Sequence, residues 1–122
     1  MLASAKLVAF TAVSDPARAK AFYGGVLGLP LLSEDQFALV YDAHGTTLRV
    51  SIVEQVAAAP YTVLGWEVAD IAATVRGLMS AGVVFERYPW MPQDELGIWS
   101  APSGAQVAWF KDPDGNLLSV SQ

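Results

Sequence analysis

Residues 41–51 read YDAHGTTLRVS, and residues 111–121 read KDPDGNLLSVS. Asp42, Gly45, Leu48, Val50 and Ser51 of the first stretch recur, in order, as Asp112, Gly115, Leu118, Val120 and Ser121 of the second. Each stretch reads as a turn between two strands. Asp and Gly form the turn, and the apolar residues after it alternate with the period of two that turns one side of a strand toward a core. A second echo lies upstream, where Val13 and Asp15 precede one helical stretch and Val68 and Asp70 precede another. The chain is therefore an internal repeat, which constrains the fold more than any single element does. Between these marks the second half is about fifteen residues longer, and the surplus falls in RYPWMPQDELGIWSA, residues 87–101.

Working outward, each half gives the same order of elements. Lys6 to Val13 reads as a strand. Asp15 is placed to cap a helix with Pro16 at its first position, and that helix runs to about Leu27 and stops at Gly28 before Pro30. Strands follow near Leu31–Glu34 and Phe37–Asp42, then a turn at His44 and Gly45, then a strand over Thr47–Val53. In the second half a strand at 62–68 leads to a helix over Asp70–Ala81 closed by Gly82, then to strands near Val83–Glu86, Gly104–Asp112 and Asn116–Ser121. The pattern is βαβββ twice, in module 1 at about 6–55 and module 2 at about 62–122, with the insertion at about 87–101. Strands and helices do not alternate as a doubly wound sheet requires, so the class is α+β. A chain of 122 residues suits one domain with one core, and the reading is a single domain over 1–122.

Composition removes several functions. There is no cysteine, hence no disulfide, thiolate metal site or cysteine nucleophile, and His44 is the only histidine. A net charge of −5 with no basic cluster argues against nucleic acid and anionic membrane as partners. More than half of the residues are apolar, yet no run is long enough to span a bilayer, so the excess points to a subunit interface or an apolar ligand pocket. The opening MLASAKLVAF reads as a strand rather than a leader, and the expected location is the cytoplasm.

Two stretches carry a family likeness. VSDPARAKAFYGGVLGLPL resembles the first-module signature of the vicinal oxygen chelate superfamily, which holds glyoxalase, bleomycin-resistance and extradiol dioxygenase proteins, and FKDPDGNLLSV resembles its closing signature. The resemblance covers essentially the whole chain. It implies two tandem βαβββ modules forming a curved, cup-shaped mixed sheet with helices outside, a ligand site in the concavity, and a homodimer. It also locates the four positions from which metal-dependent members supply His, Gln or Glu: Val8, Arg49, Val63 and Ser119. Valine offers no lone pair and Arg49 places a fixed cation there, so no metal and no cofactor are expected. One histidine is also too few for a two-histidine iron site.

Strand alternation then names the side chains expected on the cup face: Val8, Phe10 and Ala12; Thr47, Arg49 and Ser51; Val63, Gly65 and Glu67; Leu117, Ser119 and Ser121. An inward arginine needs a carboxylate partner, an anionic ligand or a path to water: Glu67 as a structural pair, a ligand carboxylate or phosphate, or solvent. Trp90, Met91 and Trp99 lie in the proline-stiffened insertion, where they are expected to cover the cup mouth or a subunit contact, and Trp109 is placed to continue that aromatic surface. Trp66 reads as a core residue. Asp112 and Asp114 read as turn formers, Gly24 and Gly25 as sites of close packing, and no nucleophile stands beside a base. Catalytic residues are therefore unknown. The expected function is metal-free binding of a small aromatic or anionic molecule through Val8, Phe10, Arg49, Val63, Glu67, Trp90, Met91, Trp99, Trp109 and Ser119. The alternative is a lyase or isomerase using Glu67 as base beside Arg49, although a neighbouring cation weakens a carboxylate base.

Overall fold

A computed structural model describes residues 1–122, which divide into two compact units, Met1–Ala57 and Ala58–Gln122. Both are α+β, and no helix is long and apolar enough to cross a membrane.

Unit 1 runs β1 (Val8–Val13), α1 (Pro16–Ala19) continuing as a π-helical segment over Lys20–Val26, β2 (Leu31–Glu34), β3 (Ala38–Ala43) and β4 (Thr46–Ile52). Its sheet has the order β1-β4-β3-β2, with β1 parallel to β4 and the other pairs antiparallel. The helix starts where Asp15 Oδ1 accepts the N–H groups of Ala17 and Arg18 at 2.9 and 3.2 Å, which satisfies two donors that the first turn leaves free. Val13, Leu39, Tyr41, Leu48 and Val50 are buried with Ala19, Phe22 and Tyr23, and the rings of Tyr23 and Tyr41 lie 6.2 Å apart.

The first helix ends where the sequence places it but is not regular. The N–H of Leu27 reaches back five residues to the carbonyl of Phe22, at 2.8 Å. Gly24 and Gly25, without side chains, offer little resistance to this wider turn. Close packing does not explain them: a Cβ on Gly24 would make ordinary contact with Tyr41 at 3.7 Å, and one on Gly25 would meet nothing within 4 Å.

Unit 2 runs β5 (Leu64–Glu67), α2 (Ile71–Ser80), β6 (Trp99–Ser100), β7 (Gln106–Lys111) and β8 (Leu117–Ser121), with sheet order β5-β8-β7-β6 and β5 parallel to β8. Asp70 caps α2 through the N–H of Ala73, and the Gln122 side chain accepts the N–H of Ile71 at 2.9 Å. Ile71 and Val75 are buried on α2, as are Ala108, Phe110, Leu118 and Val120 on the sheet. Trp66 lies beside Val120 in the register and is half-buried.

Two expectations change here. The strand near Val83–Glu86 shrinks to a single bridge, Phe85 to Phe110, and the outer place beside β7 is taken by Trp99–Ser100 from inside the insertion. Residues 87–101 therefore do not decorate a finished core, since Ile98 within them is 4 % exposed. The two hairpin turns also differ. His44 and Gly45, with φ of 51° and 91°, form a two-residue turn between the paired Ala43 and Thr46. In the second hairpin Pro113 cannot take a positive φ, and the connection widens to the five residues between the paired Lys111 and Leu117. Asp112 Oδ1 closes it by accepting the N–H groups of Asp114 and Asn116, both at 2.9 Å.

The Tyr41 hydroxyl is buried in unit 1 without a hydrogen-bond partner, and burial raises its pKa. A buried donor left unmatched costs about 1–3 kcal/mol. Tyr41→Phe is therefore expected to raise stability by about 1 kcal/mol in urea or thermal denaturation; a loss of that size would show that the hydroxyl has a partner.

Candidate ligand-binding site

Each sheet has one buried face and one more open face, set by alternation. In unit 1 the open face carries Val8, Phe10 and Ala12 from β1 beside Thr47, Arg49 and Ser51 from β4, with Phe10 opposite Arg49 in the register. Phe10 is 61 % exposed. Within this unit the Arg49 charge acts on Asp35, which the sequence reading did not single out. The N–H groups of Phe37 and Ala38 bind the Asp35 carboxylate at 2.7 and 3.0 Å and hold its pKa below the ordinary value, with Arg49 adding a smaller pull in the same direction.

In unit 2 the corresponding face carries Val63, Gly65 and Glu67, then Leu117, Ser119 and Ser121 from β8, and Val107, Trp109 and Lys111 from β7. Gly65 stands opposite Ser119, as Phe10 stands opposite Arg49, so the repeat holds residue for residue at these positions. A Cβ on Gly65 would lie 2.8 Å from Ser119 Oγ. Glycine here is thus what lets the mostly buried Ser119 hydroxyl keep its place.

Beside this face stands a chain of four rings. Trp99 and Trp109 lie 6.1 Å apart, Trp109 and Tyr88 meet edge to face at 5.8 Å, and Tyr88 and Trp90 lie 5.1 Å apart. The Trp109 Nε1–H donates to Thr62 Oγ1 at 3.1 Å, which fixes that indole. Trp90, at the outer end, is 76 % exposed, while Met91 is half-buried.

The segment that supplies Tyr88, Trp90 and Trp99 is tied down by its own polar side chains. Gln93 Oε1 accepts the N–H of Tyr88 at 2.8 Å, and Gln93 Nε2 donates to the carbonyls of Glu86 and Gly97 at 3.0 and 2.9 Å. Arg87 donates to the carbonyls of Asp94 and Glu95 at 2.5 and 2.6 Å. Asp94 Oδ1 accepts the N–H groups of Leu96 and Ile98, both at 2.9 Å. Tyr88 and these three polar residues lie in the insertion quoted above. Nothing local in the sequence marks their roles, because each bond spans between two and eight residues of irregular chain.

A cavity of about 320 Å³ opens next to Tyr88, between Ala58–Pro60, Glu86, Lys111 and Leu117. Lys111 Nζ lies 3.4 Å from Glu86 Oε1. Burial pushes the Tyr88 phenol pKa up, and the Glu86 charge adds to this while Lys111 opposes it, so the phenol keeps its proton at neutral pH.

A divalent ion finds no suitable ligand set at the four positions that the repeat relates. Val8 and Val63 have no donor atom, Arg49 is a cation, and Ser119 alone brings an oxygen. No three His, Cys, Asp or Glu side chains gather where they could hold a metal, and His44 is exposed in its turn.

A family model described as the Glyoxalase/Bleomycin resistance protein/Dioxygenase superfamily matches residues 7–120. The chain belongs to this superfamily. Among solved structures, a glyoxalase family protein from Enterococcus faecalis is similar, with a TM-score of 0.77 and 21% identity over 100% of both chains. A lactoylglutathione lyase from Agrobacterium tumefaciens gives 0.74 and 16% identity, over 97% of this chain and 92% of the other. The genomically encoded fosfomycin resistance protein FosX from Listeria monocytogenes gives 0.77 and 12% identity over the same shares. No curated protein matches. At these identities the likeness concerns the fold alone, and a superfamily fold does not by itself fix an activity.

Gln93→Ala removes three hydrogen bonds at once, so the ring chain should loosen. Expected are a loss of about 1–3 kcal/mol in stability and faster amide hydrogen exchange at Tyr88. Unchanged exchange there would show that Arg87 and Asp94 suffice. A separate cycle tests the sheet: Gly65→Ala should destabilise, and Ser119→Ala should relieve roughly 1 kcal/mol of that in the double variant, read from denaturation midpoints.

Proposed function

We propose that this superfamily member is a small-molecule binder that works without a metal, holding a compact aromatic ligand against the ring chain of unit 2. The observation that carries the reading is the contrast between Trp90, left largely in water, and the polar side chains that fix the segment bearing it. Beyond its contact with Tyr88, a large aromatic side chain left in water in a fixed setting gains little within the fold, whereas a ligand that stacks on it loses little entropy to loop ordering. Trp90, Trp99 and Trp109 are the anchors in this reading, with Met91 at their edge. Val8, Phe10 and Arg49 on the open face of the unit 1 sheet, and Val63, Glu67 and Ser119 on that of unit 2, are the further binding residues in this reading.

The same reading includes a homodimer. Leu7, Leu32, Phe37 and Tyr61 leave more large apolar surface in water than a lone domain of this size needs to expose. Light scattering at micromolar concentration should give twice the chain mass, and a monomeric mass would defeat this part. For the ligand, calorimetric titration with neutral and charged two-ring aromatics should show binding, and Trp109→Ala or Trp90→Ala should weaken it about tenfold. Heats of dilution alone across such a set would sink the proposal.

A further inference from the structure

The ring chain and the cavity share Tyr88, and the cavity is where the aromatic face acquires charge. Lys111 follows Trp109 by two residues on β7, so the two side chains project from the same face of the sheet about 7 Å apart along the strand. Unit 2 has three cationic side chains: Arg76 on α2, Arg87 and Lys111. Arg87 is committed to two loop carbonyls. Lys111 is held only by its contact with Glu86 at 3.4 Å, and its side chain is 52% exposed. Such a pair is worth less than about 1 kcal/mol, and an ammonium has three donors, so Lys111 can take a second acceptor without a large loss.

We propose that the cavity beside Tyr88 is the polar end of the binding site and that its ligand is a planar aromatic carboxylate, with its rings against Tyr88 and Trp109 and its carboxylate on the Lys111 ammonium. This rests on the reading of the ring chain as a ligand surface. The cavity volume, about 320 Å³, lies at the small end of ligand sites, which suits one or two fused rings. The Tyr88 phenol, which keeps its proton, presents an O–H to the carboxylate rather than a like charge. Glu86 sets the selectivity. It offsets part of the Lys111 charge, so a bare anion gains only about tenfold there, and a neutral ring gains only stacking; a molecule that joins both features collects both contributions. The net charge of −5 does not forbid this, because charges more than about 8 Å away are largely screened at physiological salt.

The test uses three probes of one shape, 2-naphthoate, 2-naphthalenemethanol and 2-naphthylmethylamine, titrated calorimetrically into the full chain and into Lys111→Met and Lys111→Arg. Lys111 is half exposed at the last residue of its strand, and circular dichroism is the control for folding of the variants. The naphthoate should bind the natural protein best. Lys111→Met should weaken naphthoate about tenfold while leaving the alcohol within about twofold, and Lys111→Arg should restore most of the loss. If the alcohol binds but naphthoate is no tighter, or is unmoved by Lys111→Met, this inference is overturned and the ring-chain reading stands. A preference for the amine overturns it as well, by assigning the polar end to Glu86. Failure of all three probes removes both.

Discussion

In each unit the first strand hydrogen-bonds in parallel with the last, which places Phe10 beside Arg49 and Gly65 beside Ser119. The chain must cross over between those strands, and the helical crossover can cover only one face of its sheet. Val13, Leu48 and Val50 in unit 1, and Ala108, Phe110 and Leu118 in unit 2, go under cover. Every alternate side chain is thereby sent to the other face. A slip of one residue in either parallel pair would exchange the two sets, so the register protects the core and selects the side chains offered to a ligand in one act.

The two units have used that arrangement differently. Unit 1 keeps a four-strand sheet with a tight two-residue turn, and the charge on its open face is Arg49 with Asp35 nearby. Unit 2 gives up most of its third element and threads a longer segment along the edge, touching the sheet at Phe85 and again at Trp99. The price of that irregular path is a set of backbone groups with no ladder partners, and Arg87, Gln93 and Asp94 satisfy much of this demand from within the segment. The polar side chains that make the segment possible are also those that hold Tyr88 and Trp90 in place.

Much of this is legible in the chain itself. Asp15 and Asp70 announce their helices because capping is local chemistry, and the alternation in TTLRVSI and LLSVS assigns faces because the period of a strand is unambiguous over several residues. The repeat does the rest, since a pairing inferred in one half is tested by the other. What escapes is non-local. The wide turn over Lys20–Val26 depends on how the segment packs as well as on its two glycines. β6 is too short to have a period, and it exists because Arg87 and Gln93 fold the chain back toward β7. Tyr88 looked like one aromatic among several, and its place between the ring chain and the cavity depends on Ala58–Pro60, a stretch with no motif. Arg49 invited a partner, but Asp35, on which its charge acts in its own unit, sits in a short loop whose geometry only the folded backbone reveals.

The edge strands have a bearing on how the protein survives at high concentration. β1, β2, β5 and β6 each end a sheet; of these, β2 and β6 are the antiparallel edges and leave amide groups that could template another chain. β6 is two residues long, too brief to seed a growing stack. β2 is longer and carries the exposed Leu31 and Leu32, yet its register shifts between Leu31 and Ser33, and Glu34 at its end is drawn into an ion pair with Lys20 at 2.7 Å. A kinked strand with a charge at its tip is a poor mould for a copy of itself. The irregularity that breaks the pairing with β3 thus also makes this edge a poor template for self-assembly.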